Sequence, residues 1–453
     1  MRKTMLTLLL LVGSLSAKAQ QPSYSFDLQE AITFALDSNY RALNARRDIA
    51  KALKQKWETT AAGLPQIDGV VDYQNRIKQP VQLVPAEFFG GAPGSFQPVV
   101  FGTQQQATLT ATLRQLIFDG SYLVALQASE AFLRYSDNAA EKTALEVRKG
   151  VINAYGGVLL TEENVAILRN NLDNITENVN ETQKIFENGL AEEEDLEQLQ
   201  ITQSQLQNQL NNAVRQEEIA RQMFNLTLGI PVESEVSLES DLETLAVRQM
   251  LPGASRDSLD IEKNIDYKIA LNLTEQRELE LKLEKSKALP SLNAFINYGT
   301  SAFDNDFVFT QNDTRWFQSS IIGVTLNVPI FSSLGRAAST QQAAIALDQA
   351  QTDLERTVQE VNLEANSARS DFNFAIANYE TAKKNLELAQ RIENKNQIKF
   401  TEGIAGSFEL RQAQTQLYTA QSELLNAMLN VITAKAELET ILNTPNIDPT
   451  ATE

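Results

Sequence analysis

The chain has 453 residues, 39 Lys and Arg against 58 Asp and Glu, a formal net charge of −19, and neither Cys nor His. Without Cys there are no disulfides, thiolate nucleophiles or Cys-ligated metal sites, and without His there is no Ser-His-Asp triad or HExxH zinc site. The acidic balance argues against nucleic acid, whose phosphates need clustered Lys and Arg, and an enzyme would have only carboxylates, Lys or Tyr to work with.

The N-terminus reads as a secretory signal peptide. Arg2 and Lys3 precede an apolar run from Leu6 to Leu15, and Ala17-Lys18-Ala19 has the form of a cleavage site. Residues 1–19 are therefore expected to be removed. The run is too short for a membrane anchor, which needs roughly 20 apolar residues. Nowhere else is there an apolar stretch long enough for a membrane helix.

After a first helix, strands are expected at 66–82 and 104–118. In the second of these, Ala107, Leu109, Ala111 and Leu113 alternate with Thr108, Thr110, Thr112 and Arg114, the period of a strand with one apolar face. Long helices are expected at 121–188 and 192–229. No Pro occurs from Ser121 to Asn188, and that stretch would make roughly 100 Å of helix. Val151, Ala154, Val158, Val165, Leu168, Leu172, Ile175, Val179 and Phe186 follow the 3–4 spacing of a coiled-coil seam. Residues 231–262, rich in Glu and Ser, read as a linking segment.

The same order then returns. A helix precedes strands at 291–303 and 316–331, where Ile322, Val324, Leu326, Val328 and Ile330 alternate with Gly323, Thr325, Asn327 and Pro329. Long helices follow at 336–401 and 407–443, and 444–453 form a tail. The seam runs through Leu354, Val358, Val361, Ala365, Ala368, Phe372, Ala375, Tyr379, Ala382, Leu386 and Ala389, and resumes at Leu410, Ala413, Leu417, Ala420, Leu424, Ala427, Val431, Ala434, Leu438 and Ile441. Phe186-Glu187-Asn188-Gly189-Leu190-Ala191 recurs as Phe400-Thr401-Glu402-Gly403-Ile404-Ala405, and Ile117-Phe118 as Ile330-Phe331. Residues 20–230 and 263–443 are thus two copies of one large unit. The first copy has the longer insert, between Tyr73 and Gln104.

Alternating strands fit a soluble two-layer sheet as well as a membrane β-barrel. The barrel is favoured because the helical stripes are narrow and already paired helix to helix. Aromatic residues also crowd the strand regions, among them Tyr73, Phe88, Phe89, Phe101, Phe118, Tyr298, Phe303, Trp316, Phe317 and Phe331, as an interfacial girdle would. Four strands cannot close a barrel, and an open duct needs at least three copies of the chain.

The signal peptide, the duplicated helix–strand–strand–long-helix unit and the paired Gly-Leu-Ala and Gly-Ile-Ala turns resemble the TolC family of outer membrane efflux proteins. Leu28-Gln29-Glu30-Ala31, Leu64-Pro65, Phe118-Asp119-Gly120 and Pro329-Ile330-Phe331 add to the likeness. The resemblance implies a mainly α fold with a β-barrel part: a homotrimer, with a twelve-stranded barrel of four strands per chain in outer membrane lipid, continued by a long α-helical barrel in the periplasm of a Gram-negative bacterium. It implies a passive exit duct, no enzyme and no cofactor, joined through a periplasmic adaptor of the membrane fusion type to an inner-membrane transporter of RND or ABC type. The alternative is a soluble secreted coiled-coil scaffold without channel activity. A carboxylate hydrolase would need two acids converging in a cleft.

On that resemblance, the turns Gly189, Leu190, Ala191 and Gly403, Ile404, Ala405 are periplasmic tips that meet the adaptor; Gly would cap a helix there in any case. Glu192, Glu193, Glu194 and Asp195 read either as acids favoured by a helix N-terminus or as an electronegative entrance ring. Glu409 matches an acidic aperture position of the family, whereas Gln412 stands where a second acid is common. Thr108, Thr110, Thr112, Arg114, Thr325 and Asn327 are expected to line the barrel lumen. The stretches 88–104 and 301–315 would be extracellular loops.

Overall fold

The computed structural model describes residues 24–189, 192–250 and 259–443. The signal peptide, Leu190, Ala191 and the tail 444–453 lie outside the described residues. The elements are β1 (Tyr24–Phe26), α1 (Leu28–Ser38), α2 (Tyr40–Ala61), β2 (Gln66–Asn75), β3 (Val81–Pro85), β4 (Phe96–Val100), β5 (Gln105–Phe118), α3 (Gly120–Glu187), α4 (Glu193–Leu228), β6 (Val236–Leu238) and α5 (Leu242–Gln249). They continue with α6 (Ile265–Ser286), β7 (Ser291–Asp304), β8 (Trp316–Asn327), α7 (Gly335–Thr401) and α8 (Ser407–Leu442). Two compact units result, one from residues 50–135 and 272–352 and the other from the rest. Each unit draws on both copies of the duplication, because like elements of the copies gather together.

The first unit is built on an antiparallel four-stranded sheet in the order β2-β5-β7-β8. The central pair, β5 with β7, joins one copy to the other. Strand β2 stops at Asn75, short of 82: Arg76 still donates its N–H to the carbonyl of Gln104 at 2.8 Å, but the chain then bends at Ile77 and Lys78. The chain instead makes a separate hairpin of β3 and β4, joined by a 3-10 turn at Ala86–Phe89. Strand β8 likewise ends at Asn327, short of 331, because Pro329 removes the next donor. Phe295 lies across the sheet from Gly323, where a Cβ would come within 2.5 Å of its ring. A glycine there lets the ring lie against the backbone.

The second unit is helical, and its core sits where the seam spacing places it. Val151, Tyr155 and Val158 of α3, Phe224 and Leu228 of α4, Phe372 and Tyr379 of α7, and Val431, Ile432 and Leu438 of α8 form one buried cluster. A second cluster joins Ile175 and Val179 of α3 to Leu196, Leu199 and Leu206 of α4. The short parallel pair β1–β6 ties the linking segment to the start of the chain; three-residue strands carry too little periodicity to be read from sequence. Inside the larger cluster Glu439 accepts from Arg148 at 2.7 Å, and Lys435, 2 % exposed, sets its ammonium over the Phe372 ring. Such a buried charge cluster adds little net stability, but breaking it is costly, so it holds α3 and α8 in one register. Among the described residues no helix is long and apolar enough to cross a membrane.

Candidate functional site

The turns after α3 and α7 are built alike. Gly189 and Gly403 have φ of +72° and +68°, a left-handed conformation that L side chains rarely adopt. Gly403 donates to Phe400 O at 3.0 Å and Ile404 to Lys399 O at 2.8 Å, the paired bonds of a Schellman cap. Gly189 donates to Phe186 O at 2.8 Å. A Cβ on either glycine would meet nothing within 4 Å, so what these positions require is the backbone angle. Ile404 is 76 % exposed, and Phe408, one turn into α8, is 58 % exposed with Arg411 over its ring. Phe408 was not singled out in the sequence. Its signal was there, an apolar side chain off the seam spacing that leads to Leu410.

The acids divide. Glu192, Glu193, Glu194 and Glu409 are exposed, and Glu194 accepts from Gln198 at 3.0 Å one turn along. Asp195 points elsewhere. Its Oδ1 accepts from the Ser407 hydroxyl at 2.5 Å and from the Ser407 N–H at 3.3 Å. The N-cap of α8 is Gly406, which has no side chain to offer, so Asp195 of the first copy caps the first turn of α8 in the second. Ser407 is 2 % exposed. This carboxylate thus joins the two turns instead of standing in an open ring. Asp195→Ala is expected to cost about 1 kcal/mol, the usual effect of losing a cap. Faster amide exchange at residues 407–410, with the rest of α8 unchanged, is the measurement that checks it.

Farther along, α3, α4 and α8 enclose a cavity of about 600 Å³ lined by amides such as Asn164, Asn171, Gln205, Gln209 and Asn426. Asn171 donates across it to Gln421 at 2.9 Å. Burial, with a contribution from nearby Glu393, pushes the Tyr418 phenol at its edge up to about 12, and burial also raises Glu393. Among the described residues no cluster of acids could hold a metal.

On the sheet, the register brings the expected polar residues together. Thr108, Thr110, Thr112 and Arg114 of β5 share a face with Asn293, Asn297 and Ser301 of β7, opposite Thr325 and Asn327 of β8. Thr108 and Ser301 hydroxyls meet at 3.2 Å, and Asn297 donates to Thr112 at 3.2 Å. Arg114 is not the only charge here: Asp68 and Asp72 of β2 lie on the same face, and Arg114 pairs with Asp68 at 3.0 Å. Ile67, Val71, Leu109, Leu113, Ile296, Ile322, Val324 and Leu326 fill the opposite face. That face is bare: Val71 is 76 %, Ile322 78 % and Val324 66 % exposed. Tyr73 and Trp316 end the apolar face at the loop side, in one row with Ala107 and Ala302. Phe303 and Phe317, expected in the same girdle, lie on the polar face, 6.2 Å apart. Strand parity alone puts them there.

Residues 270–444 match the family model described as outer membrane efflux protein. The chain is 23 % identical over 332 residues to the alkaline protease secretion protein AprF of Pseudomonas aeruginosa, covering 73 % of this chain and 68 % of that one. It is 23 % identical over 340 residues to the outer membrane protein TolC of Vibrio cholerae, covering 73 % and 75 %. Among solved structures it is similar to CusC, with a TM-score of 0.73 at 16 % identity over 95 % of each chain. It is also similar to the CmeC outer membrane channel of Campylobacter jejuni, with a TM-score of 0.70 at 16 % identity over 96 % of this chain and 91 % of that one.

Proposed function

We propose, from the premise that this chain belongs to the outer membrane efflux protein family, that it is a passive exit duct assembled from three copies. The protein resides in the outer membrane and extends into the periplasm. The observation that carries the reading is the four-stranded sheet, with one bare apolar face, one polar face and two unpaired edge strands, β2 and β8. Unpaired edges in hydrocarbon are not tolerated, so the sheet must close with further copies. Three copies supply twelve strands, enough to leave a water-filled lumen. The polar face, with Thr108, Thr110, Thr112, Arg114, Thr325 and Asn327, then lines the lumen, and Val71, Ile322 and Val324 meet lipid. A soluble scaffold would leave that apolar face against water, a large patch for a secreted protein.

The rest of the reading concerns the turns after α3 and α7. The exposed Ile404 and Phe408 beside the Gly403 cap offer small apolar contacts for a periplasmic adaptor, with Gly189 and Ala405 completing the tips. The adaptor joins the duct to an RND or ABC transporter of the inner membrane, which supplies the energy, so the duct itself needs no catalysis and no cofactor. Glu192, Glu193, Glu194 and Glu409 place uncompensated negative charge near the entrance, where it attracts cations. Native mass spectrometry of detergent-solubilised protein tests the reading: a three-chain mass with stable conductance in planar bilayers is expected, and a single-chain, non-conducting protein overturns it. Replacing Glu192, Glu193 and Glu194 with Gln is expected to lower cation selectivity. A reversal potential that stays put in a salt gradient would remove the entrance-ring role.

A further inference from the structure

We propose that the apolar face of the β3–β4 hairpin is a self-docking surface, covered in the assembled duct by the same hairpins of the other copies and narrowing its outer mouth. The proposal rests on the trimeric reading above. The hairpin register sets Val81 opposite Val100, Leu83 opposite Pro98 and Pro85 opposite Phe96. Because side chains alternate along a strand, these six share one face, and that face has no polar member. Leu83 and Phe96 are 68 % and 65 % exposed. The other face mixes Gln82 and Gln97 with Val84 and Val99, and the two valines are half-buried. A lone two-stranded hairpin is marginal in water, and one with a wholly apolar bare face calls for a cover.

Charge says what the cover is. From Gln79 to Gln106 the only charged side chain is Glu87, and its carboxylate is engaged within the turn, accepting from the N–H of Gly94 at 3.1 Å. Anionic lipid headgroups are met by clustered Lys and Arg, and this stretch has neither. A charged partner would find nothing to pair with. The matching surface is another one as apolar and uncharged, and each further copy brings one.

Position agrees with chemistry. The ladder of β2 with β5 continues past Asn75 through Arg76 and Gln104, and β3 with β4 resumes it after a one-residue shift. The hairpin therefore extends the ladder whose outer strand, β2, is an open edge of the sheet. The next copy must join along that edge, so the hairpin stands beside the seam between copies. It stands at the loop end of the sheet, opposite the end from which the helices leave.

The chain has no Cys, so single introduced cysteines report cleanly. In the full-length protein in detergent, Leu83→Cys and Phe96→Cys are expected to give covalent dimers and trimers with a short bis-maleimide, and Gln82→Cys on the opposite face is not. Replacing Val81 to Val100 with two glycines is expected to raise single-channel conductance several-fold. A three-chain mass with no cross-link at either apolar position overturns the proposal and leaves the duct reading standing, whereas a single-chain mass overturns both. Unchanged conductance after the replacement removes the narrowing. Quenching of a bimane label at Leu83→Cys by brominated lipid would make lipid the cover and sink self-docking.

Discussion

Gly403→Val is expected to abolish transport while leaving the assembled duct intact. At φ of +68° an L residue carries about 1–2 kcal/mol of backbone strain, and a β-branched one carries more. Nothing lies within 4 Å of the added Cβ, so the strain cannot be blamed on a clash that a neighbour might relieve. It is relieved by changing the turn. The bond from Ile404 to Lys399 is lost, and Ile404 and Phe408 leave the positions in which a partner would meet them. The buried seam begins only at Leu410, so the coiled coil and the sheet keep their contacts and the copies still associate. Efflux or secretion measured in a strain lacking the native protein, beside native mass spectrometry of the variant, checks both halves. Gly403→Asn is expected to retain much of the activity, because Asn tolerates the left-handed region. Normal transport by the valine variant would show that the turn does not have to hold this shape for docking.

Val324→Arg and Thr325→Arg are expected to differ sharply, although the residues are neighbours. Val324 pairs with Ala294 on the apolar face and Thr325 with Asn293 on the polar one. In a barrel closed by three copies, an arginine at 324 enters hydrocarbon and costs about 2–4 kcal/mol near the bilayer midplane. An arginine at 325 enters water in the lumen and costs little. Urea midpoints of protein folded into lipid vesicles measure the difference. Equal losses from the two variants would mean that the faces do not separate lipid from lumen.

Much of this was legible in the sequence because it depends on near neighbours. The period of two in Ala107 to Arg114 named the two faces of β5. The 3–4 spacing from Leu354 to Ala389 named the inward stripe of α7: it is buried from Val361 to Ala382 and at Ala389, and half-buried at Leu354, Val358 and Leu386. Gly189 and Gly403 stood out because a helix that stops and turns needs a left-handed residue. Strand ends were less legible. The bend at Ile77 and Lys78 ends one ladder and Pro329 the other, yet hydrophobicity continues past both, and it was hydrophobicity that drew the longer strands.

Two features at the candidate site were beyond sequence reasoning. Asp195 sits in a run of acids at a helix start, where the dipole accounts for it fully, and nothing local shows that it reaches Ser407 in the other copy. Residues 88–104 read as a loop after a strand at 66–82, with Phe88, Phe89 and Phe101 as girdle aromatics. Pairing instead made a hairpin and sorted its residues into an apolar and a mixed face.

Composition, by contrast, had already excluded triads, thiol chemistry and His-bound metals, and periodicity had set which residues face which way along each element. Which element lies beside which was left to the folded chain. The register of β5 against β7 pairs Thr108 with Ser301 and Thr112 with Asn297, and a slip of one residue would have turned every side chain to the opposite face. Periodicity is a relation among residues a few positions apart, so it can be read directly from the sequence. Register is set by the sum of many weak contacts between segments far apart in the chain, and no single segment contains it.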